Sequence, residues 1–372
     1  MDRKDPPKPI DLAKSKAEGD MSRRRVITGG VGIAVAGGVA PAVSAASAAR
    51  LSLQFTSAAR IDVHQHLVPP RWRAEMERRK TPLTIPPWSP EAALAFMDTH
   101  RIGTGILSLS APGVVGWEPG ERRDEARATN EYTASLVKTW PERFGNFATL
   151  PLPDVEASLA EIAYALDTLK ADGVILFSNY GDRYLGHADF APLWAELDRR
   201  YAVVFVHPTR LNQPETPGVR GPIVDFPFNT AKSAIDIVLS GVFDRHAHVK
   251  VILSHGGGFL PYAAYRFAAL ASATVAGAHD VKSLMAQMRR FYFDTAITHA
   301  DYALPSLKAF ADPTRILTGS DFPYVPAAAA DDLFMAFDTS PLLTAAERFA
   351  INRGNAEALF PARNRLHSTL NE

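Results

Sequence analysis

Short runs of Val, Ile, Leu and Phe alternate along most of this chain with longer stretches in which apolar side chains recur every three or four residues. Eight of the short runs read as strands: Arg60 to His66, Ile102 to Ser110, Gly145 to Leu150, Gly173 to Ser178, Ala202 to His207, Lys250 to His255, Phe291 to Thr295 and Arg315 to Asp321. A helical period is plain in Glu121 to Trp140, Asp154 to Lys170, Phe190 to Arg200 and Ala231 to Phe243, with Asp154 placed to cap the second of these. Strand followed by helix, eight times over, predicts an α/β chain folded as a (β/α)8 TIM barrel, a fold of ~250 residues. A doubly wound open sheet is the competing arrangement. The barrel is preferred because the polar residues that end several of the strands need one common face, and a barrel's carboxyl-end rim provides it.

The strand ends carry the candidate chemistry. His64-Gln65-His66 closes the first run, and side chains at positions i and i+2 of a strand share a face, so both imidazoles point the same way. An isolated His-x-His motif is weak, and two solvated loop histidines are the simpler reading of it. However, His207 closes the fifth run, His255 the sixth and Asp321 the eighth. Ligand-type residues at the ends of four strands converge on one rim only if they serve one site, and histidine with carboxylate suits a divalent cation.

Composition narrows the alternatives. The 372 residues include no cysteine, so there is no disulfide frame, no zinc-thiolate module and no cysteine nucleophile, and any metal rests on histidine and carboxylate. Forty basic against forty acidic side chains remove the electrostatic footprint of a nucleic-acid binder, and 47% hydrophobic residues remove the disordered class. Charge is unevenly placed at the start. Residues Met1 to Arg25 hold eight basic and five acidic side chains, whereas Val26 to Ala49 hold none. At the junction, Ser22-Arg23-Arg24-Arg25-Val26-Ile27 resembles a twin-arginine export signal, and Ala46-Ser47-Ala48 offers a cleavage site. The Gly/Ala-rich neutral run, interrupted by Pro41, is a poor membrane span. We therefore expect residues 1–49 to be an export signal read by the twin-arginine translocation machinery, residues 50–372 to be the barrel domain, and the product to be periplasmic or secreted in folded form.

Six short motifs add a resemblance. Asp-Val-His-Gln-His at 62–66, His-Pro at 207–208, Ser-His-Gly-Gly-Gly at 254–258, Tyr-Phe-Asp-Thr-Ala at 292–296, Gly-Ser-Asp-Phe-Pro at 319–323 and Gly-Asn-Ala-Glu-Ala-Leu-Phe at 354–360 together resemble the amidohydrolase superfamily over residues 60–362. Within it they are similar to the branch of aminocarboxymuconate-semialdehyde decarboxylase and related nonoxidative decarboxylases. Asn179-Tyr180-Gly181-Asp182, Tyr184-Leu185-Gly186 and the run Trp194 to Thr209 resemble the 6-methylsalicylate decarboxylases more particularly. The resemblance implies that His64, His66, His207 and Asp321 bind one divalent cation, zinc by the ligand set or else manganese, without an organic cofactor. It implies that His255 moves a proton beside it, and that the enzyme is a homodimer. The superfamily's two-metal members carry a bridging lysine on the fourth strand, where this chain has Val174-Ile175-Leu176-Phe177-Ser178, so a single ion is expected.

The function so implied is decarboxylation of a hydroxylated aromatic or unsaturated carboxylic acid, with ring-carbon protonation by His255 or by Asp321. The alternative is a mononuclear hydrolase of a lactone, ester or amide, in which a bound water of pKa lowered to about 7 attacks the carbonyl. A barrel that binds without turnover is the third reading, and the full ligand set argues against it. Arg71 and Trp72, just past the first strand, and Asp182, above the fourth, are candidate substrate contacts, although Asp182 and Arg183 are also placed to pair with each other. Asp294, ending the seventh strand, reads equally as an orienting carboxylate or as a structural one. His100, His246, His248, His279 and His367 are assigned no role, and His187 and His299 read as ordinary surface residues.

Overall fold

All eight expected runs form strands: β1 (Arg60–Leu67), β2 (Ile102–Leu109), β3 (Phe144–Thr149), β4 (Gly173–Phe177), β5 (Val203–His207), β6 (Lys250–Leu253), β7 (Tyr292–Asp294) and β8 (Ile316–Leu317). The computed structural model describes residues 60–81, 83–210, 216–299 and 301–361; the export signal expected at 1–49 and His367 lie outside the described residues. The strands hydrogen-bond in chain order, every neighbouring pair parallel. The first and last strands then approach each other. Parallel bridges join Asp62 to Thr318 and Gln65 to Phe322, with Val63 N donating to Thr318 O at 2.9 Å and His66 N to Phe322 O at 2.7 Å. The result is a nearly closed eight-stranded parallel barrel, consistent with the (β/α)8 fold, and not the open sheet, in which the two edge strands would stay apart.

The expected helices are present with shifted ends. Pro119–Thr139 and Ala191–Arg199 stand where the spacing places them, and Asp154 caps Val155–Ala163 by accepting from Ala157 N at 3.1 Å. That helix continues through a wider turn, Tyr164–Thr168. The stretch expected at 231–243 belongs to a longer helix, Gly221–Leu239, and a short one, Val242–Arg245, parted by Gly241 at φ 72°.

The barrel interior explains why the site is rigid. Phe147 and Phe205 stack at 5.5 Å inside it, and Phe205 meets the His64 ring edge-on at 4.9 Å, so an aromatic floor lies directly under the polar cluster. Each such ring, withdrawn from water, contributes roughly 1.5–3 kcal/mol. Two strands stop two or more residues short of their expected ends, for a reason the apolar pattern does not contain. β8 pairs with β7 only through Leu317, after which the chain turns toward β1: Asp321 N donates to His64 O at 2.8 Å, and the Asp62 carboxylate takes the Ser320 hydroxyl at 2.6 Å and the Ser320 amide at 3.1 Å. β6 stops at Leu253 because His255 turns to φ 53° and opens the loop Gly256–Gly258. Gly258 lies so near the 221–239 helix that a Cβ there would stand 2.1 Å from Pro227 O.

Candidate metal centre

The ends of β1, β5, β6 and β8 bring four imidazoles and one carboxylate together. His64 Nε2 lies 3.0 Å from His66 Nε2, and Asp321 Oδ1 is 3.2 Å from each of these nitrogens. The other Asp321 oxygen is 3.3 Å from His255 Nε2. The His207 ring centre is 4.8 Å from that of His66 and 5.3 Å from that of His64. One donor atom from each of His64, His207, His255 and Asp321 lies within 4.8 Å of the others, which is a cage of the size a single cation spans.

Each imidazole next to Asp321 on β1, and that of β5, is held by an acceptor at its far nitrogen. His64 Nδ1 faces Asp294 Oδ2 at 2.7 Å, His66 Nδ1 faces Ser108 O at 3.2 Å, and His207 Nδ1 faces Pro208 O at 2.8 Å. Those oxygens keep the ring proton on Nδ1, which leaves the Nε2 lone pair for a cation. This donor set fits a divalent ion. His255 differs: its Nε2 looks at Asp321, while its Nδ1 is buried with no hydrogen-bond partner among the described residues.

The electrostatics agree. Burial opposes charge on His64, but Asp294 and Asp321 outweigh it and raise its pKa to about 10. Burial lowers His66 despite its hydrogen bond to Asp321, and burial with three neighbouring imidazoles lowers His207 far below its usual value. Burial also works against charge on Asp321, yet His64 and the bonds from His255, His64 and His66 hold its carboxyl well below the ordinary range. A compact negative charge thus sits among nitrogens that are mostly neutral, an arrangement that a bound cation completes.

The outlying candidates are placed less centrally. Arg71 lends its Nε to the buried Glu125 at 2.9 Å and leaves the rest of its side chain exposed at the rim. Trp72 is wholly buried in a small cluster with Val68, Met76, Leu109 and Trp117, and donates its indole N–H to Gly113 O at 2.9 Å. Its part is to brace the loop. Asp182 stands exposed at the turn between Asn179–Tyr180 and Arg183–Tyr184, and no contact among the described residues joins it to the histidines. The expected pairing with Arg183 does not form, because that guanidinium reaches Asp189 at 2.7 Å. The reading of His299 as a surface residue is also corrected: it is 4% exposed, its ring lies against Phe334 and Phe337, and burial lowers it to about 4.

Two residues escaped the sequence reading. Asp62 shares the inward parity of His64 and His66, and besides Ser320 it accepts the His64 amide at 3.0 Å; burial raises it to about 7 against those bonds. An acid two positions before the first histidine was the available signal. Tyr324 presents its ring edge-on to His66 at 5.4 Å, and burial pushes its phenol up to about 12 although Ser110 bonds to it. No periodicity marks it, since it follows the last strand in irregular chain.

With barrel, rim and cage defined, comparison with known proteins is informative: the chain belongs to the amidohydrolase family, whose family model matches residues 61–362. A decarboxylase of Aspergillus niger, yanB, is 40% identical over 81% of this chain and 87% of its own length. The 6-methylsalicylic acid decarboxylase of Penicillium expansum is 41% identical over 72% of this chain and 86% of its own. Among solved structures, a dihydroxybenzoic acid decarboxylase of a Polaromonas species, described with bound manganese and the inhibitor 2-nitroresorcinol, is 26% identical with a TM-score of 0.66, covering 82% of this chain and 97% of its own.

Proposed function

We propose that this protein is a metal-dependent nonoxidative decarboxylase of a hydroxylated aromatic carboxylic acid of the 6-methylsalicylate class. The observation that carries the reading is the convergence of His64, His66, His207, His255 and Asp321 in a chain whose relatives are decarboxylases of aromatic acids. His64, His66, His207 and Asp321 would hold one divalent cation. Three imidazoles favour zinc, whereas a related structure carries manganese, and elemental analysis of protein purified without chelator separates the two. When bound, the ion supplies Lewis acidity toward the substrate's carboxylate and phenolate.

The chain's own residues do the rest. Three neutral imidazoles and one carboxylate leave the loaded site with a net single positive charge, which attracts an aromatic carboxylate. Phe205 and Tyr324 bound the cluster with aromatic rings, Phe205 against His64 and Tyr324 against His66. The proton for the ring carbon is assigned to His255, since Asp321 is held ionised by its neighbours and His255 has one nitrogen uncommitted. As the new carbon–hydrogen bond forms, the ring loses aromaticity; the bond to the carboxylate then breaks, its electron pair restores the ring, and carbon dioxide leaves. His255 regains its proton from solvent, so one proton is consumed per turnover.

Purified protein incubated with 6-methylsalicylate should release carbon dioxide and 3-methylphenol in equal amounts, and should leave a panel of lactones untouched. Lactone hydrolysis without carbon dioxide release overturns the reading in favour of a hydrolase. We further propose that residues 1–49 direct export in folded form, on the order of basic stretch, paired arginines, neutral run and cleavage site. Replacing Arg23 and Arg24 by Lys should retain the protein in the cytoplasm; an unchanged distribution between cell fractions overturns that proposal.

A further inference from the structure

Asp294 has so far appeared only as the acceptor for His64 Nδ1, yet it is wholly buried at the end of β7 and both its oxygens are engaged. We infer that Asp294 is a positioning residue that sets two parts of the site with one carboxylate, the metal-facing lone pair of His64 and the backbone seat of His255. Its Oδ2 accepts the Nδ1 proton of His64 at 2.7 Å, which fixes the ring and aims Nε2 at Asp321 and His66. Its Oδ1 accepts two backbone amides, from His255 at 2.8 Å and from Ala296 at 3.0 Å. His255 has φ 53°, in the left-handed region that a non-glycine residue adopts only when its surroundings require it. The amide bond to a buried, immobile carboxylate meets that requirement.

The carboxylate has no room to move. β8 passes against it at Gly319, where a Cβ would stand 2.9 Å from Asp294 Cβ, 3.0 Å from its Cγ and 3.0 Å from His64 Cβ. A displacement of Asp294 would therefore be felt at His64 and at His255 together. The Asp294 side chain thus bonds to His64 on β1 and to the His255 amide just past β6, and lies against Gly319 just past β8, so the ligand and the proton-bearing ring rest on the same atom group.

The two roles separate by substitution. In Asp294→Asn the amide oxygen can still accept from His255 and Ala296, but the amide nitrogen now donates toward His64 Nδ1 and moves the ring proton to Nε2, where it competes with the cation. Asp294→Ala removes both supports. Zinc affinity, measured by competition with a chromophoric chelator, should fall ~10–100-fold in both variants, while the circular dichroism of the chelated Asp294→Asn protein stays that of the chelated wild type. At saturating zinc, Asp294→Ala should fall roughly tenfold or more below Asp294→Asn in kcat, with KM little changed between the two. Unaltered zinc affinity in Asp294→Asn overturns the first role, and equal saturated kcat in the two variants overturns the second. Should Asp294→Ala fail to fold, Asp294→Ser replaces it, since the shorter side chain fits the space and withdraws the oxygen from the His255 amide. The kinetic arm rests on the decarboxylase reading, but the zinc-affinity arm does not, so loss of that reading and loss of this inference give different results.

Discussion

His255→Asn should retain the ion at the wild-type stoichiometry and lose ~10² or more in kcat, as expected when an acid–base group is removed from a site that still binds. Asparagine keeps a polar group of similar size facing Asp321 but cannot carry and release a proton near neutral pH. The structure makes this variant decisive because His255 meets the geometric criterion for a ligand as well: its donor atom is one of the four lying within 4.8 Å of each other. Metal content by elemental analysis, set beside turnover of the same preparation, distinguishes the roles. Turnover lost with metal retained assigns proton transfer, and the two lost in proportion would make His255 a ligand.

Stripping the ion with a chelator should abolish turnover, and recovery should depend steeply on pH. In the chelated protein burial disfavours charge on His64, but Asp294 and Asp321 outweigh it and raise the pKa from the ordinary 6.5 to about 10. His66 and His207 are shifted the other way and Asp321 is already ionised, so these three stand in the form that a cation requires. Binding therefore displaces one proton, that of His64, and apparent affinity should rise about tenfold per pH unit between 6.5 and 10, then level off. Stability of the chelated protein runs oppositely. The His64 imidazolium contributes fully below pH 6.5, and its contribution is lost as pH rises through 10. The increase in Tm that the ion produces should consequently widen across the same window. A metal titration in two buffers of different ionisation enthalpy measures the released proton directly, and an affinity independent of pH would count against this account.

Most of the architecture was legible because parallel strands buried on both faces are written as Val/Ile/Phe runs, and their order needed only the rule that parallel neighbours are joined through helices. The polar ends of these runs were legible too, since His64 and His66 close the first and His207, His255 and Asp321 each close another. Partners across space were not. Trp72 looked available for an aromatic acid, but its indole serves a loop carbonyl, and Arg183 passed over its neighbour for Asp189. His299 looked like a surface residue, yet aromatic side chains from the 327–339 helix enclose it. In each case local polarity suggested solvent, whereas the deciding contact came from a different element. The end of β8 has the same origin, because beyond Leu317 the Asp62 carboxylate of β1, remote in sequence, takes the Ser320 amide and hydroxyl beside the backbone bonds that close the barrel.

That junction has a consequence for synthesis. Asp62 and Ser320 are 258 positions apart, and Asp321, the acid of the cage, follows immediately. A ribosome must therefore deliver nearly the whole polypeptide before the first and last staves of the cylinder can be joined. Until then the early histidines lack Asp321, so a truncated translation product ending before residue 316 carries only part of the cage and none of its closure.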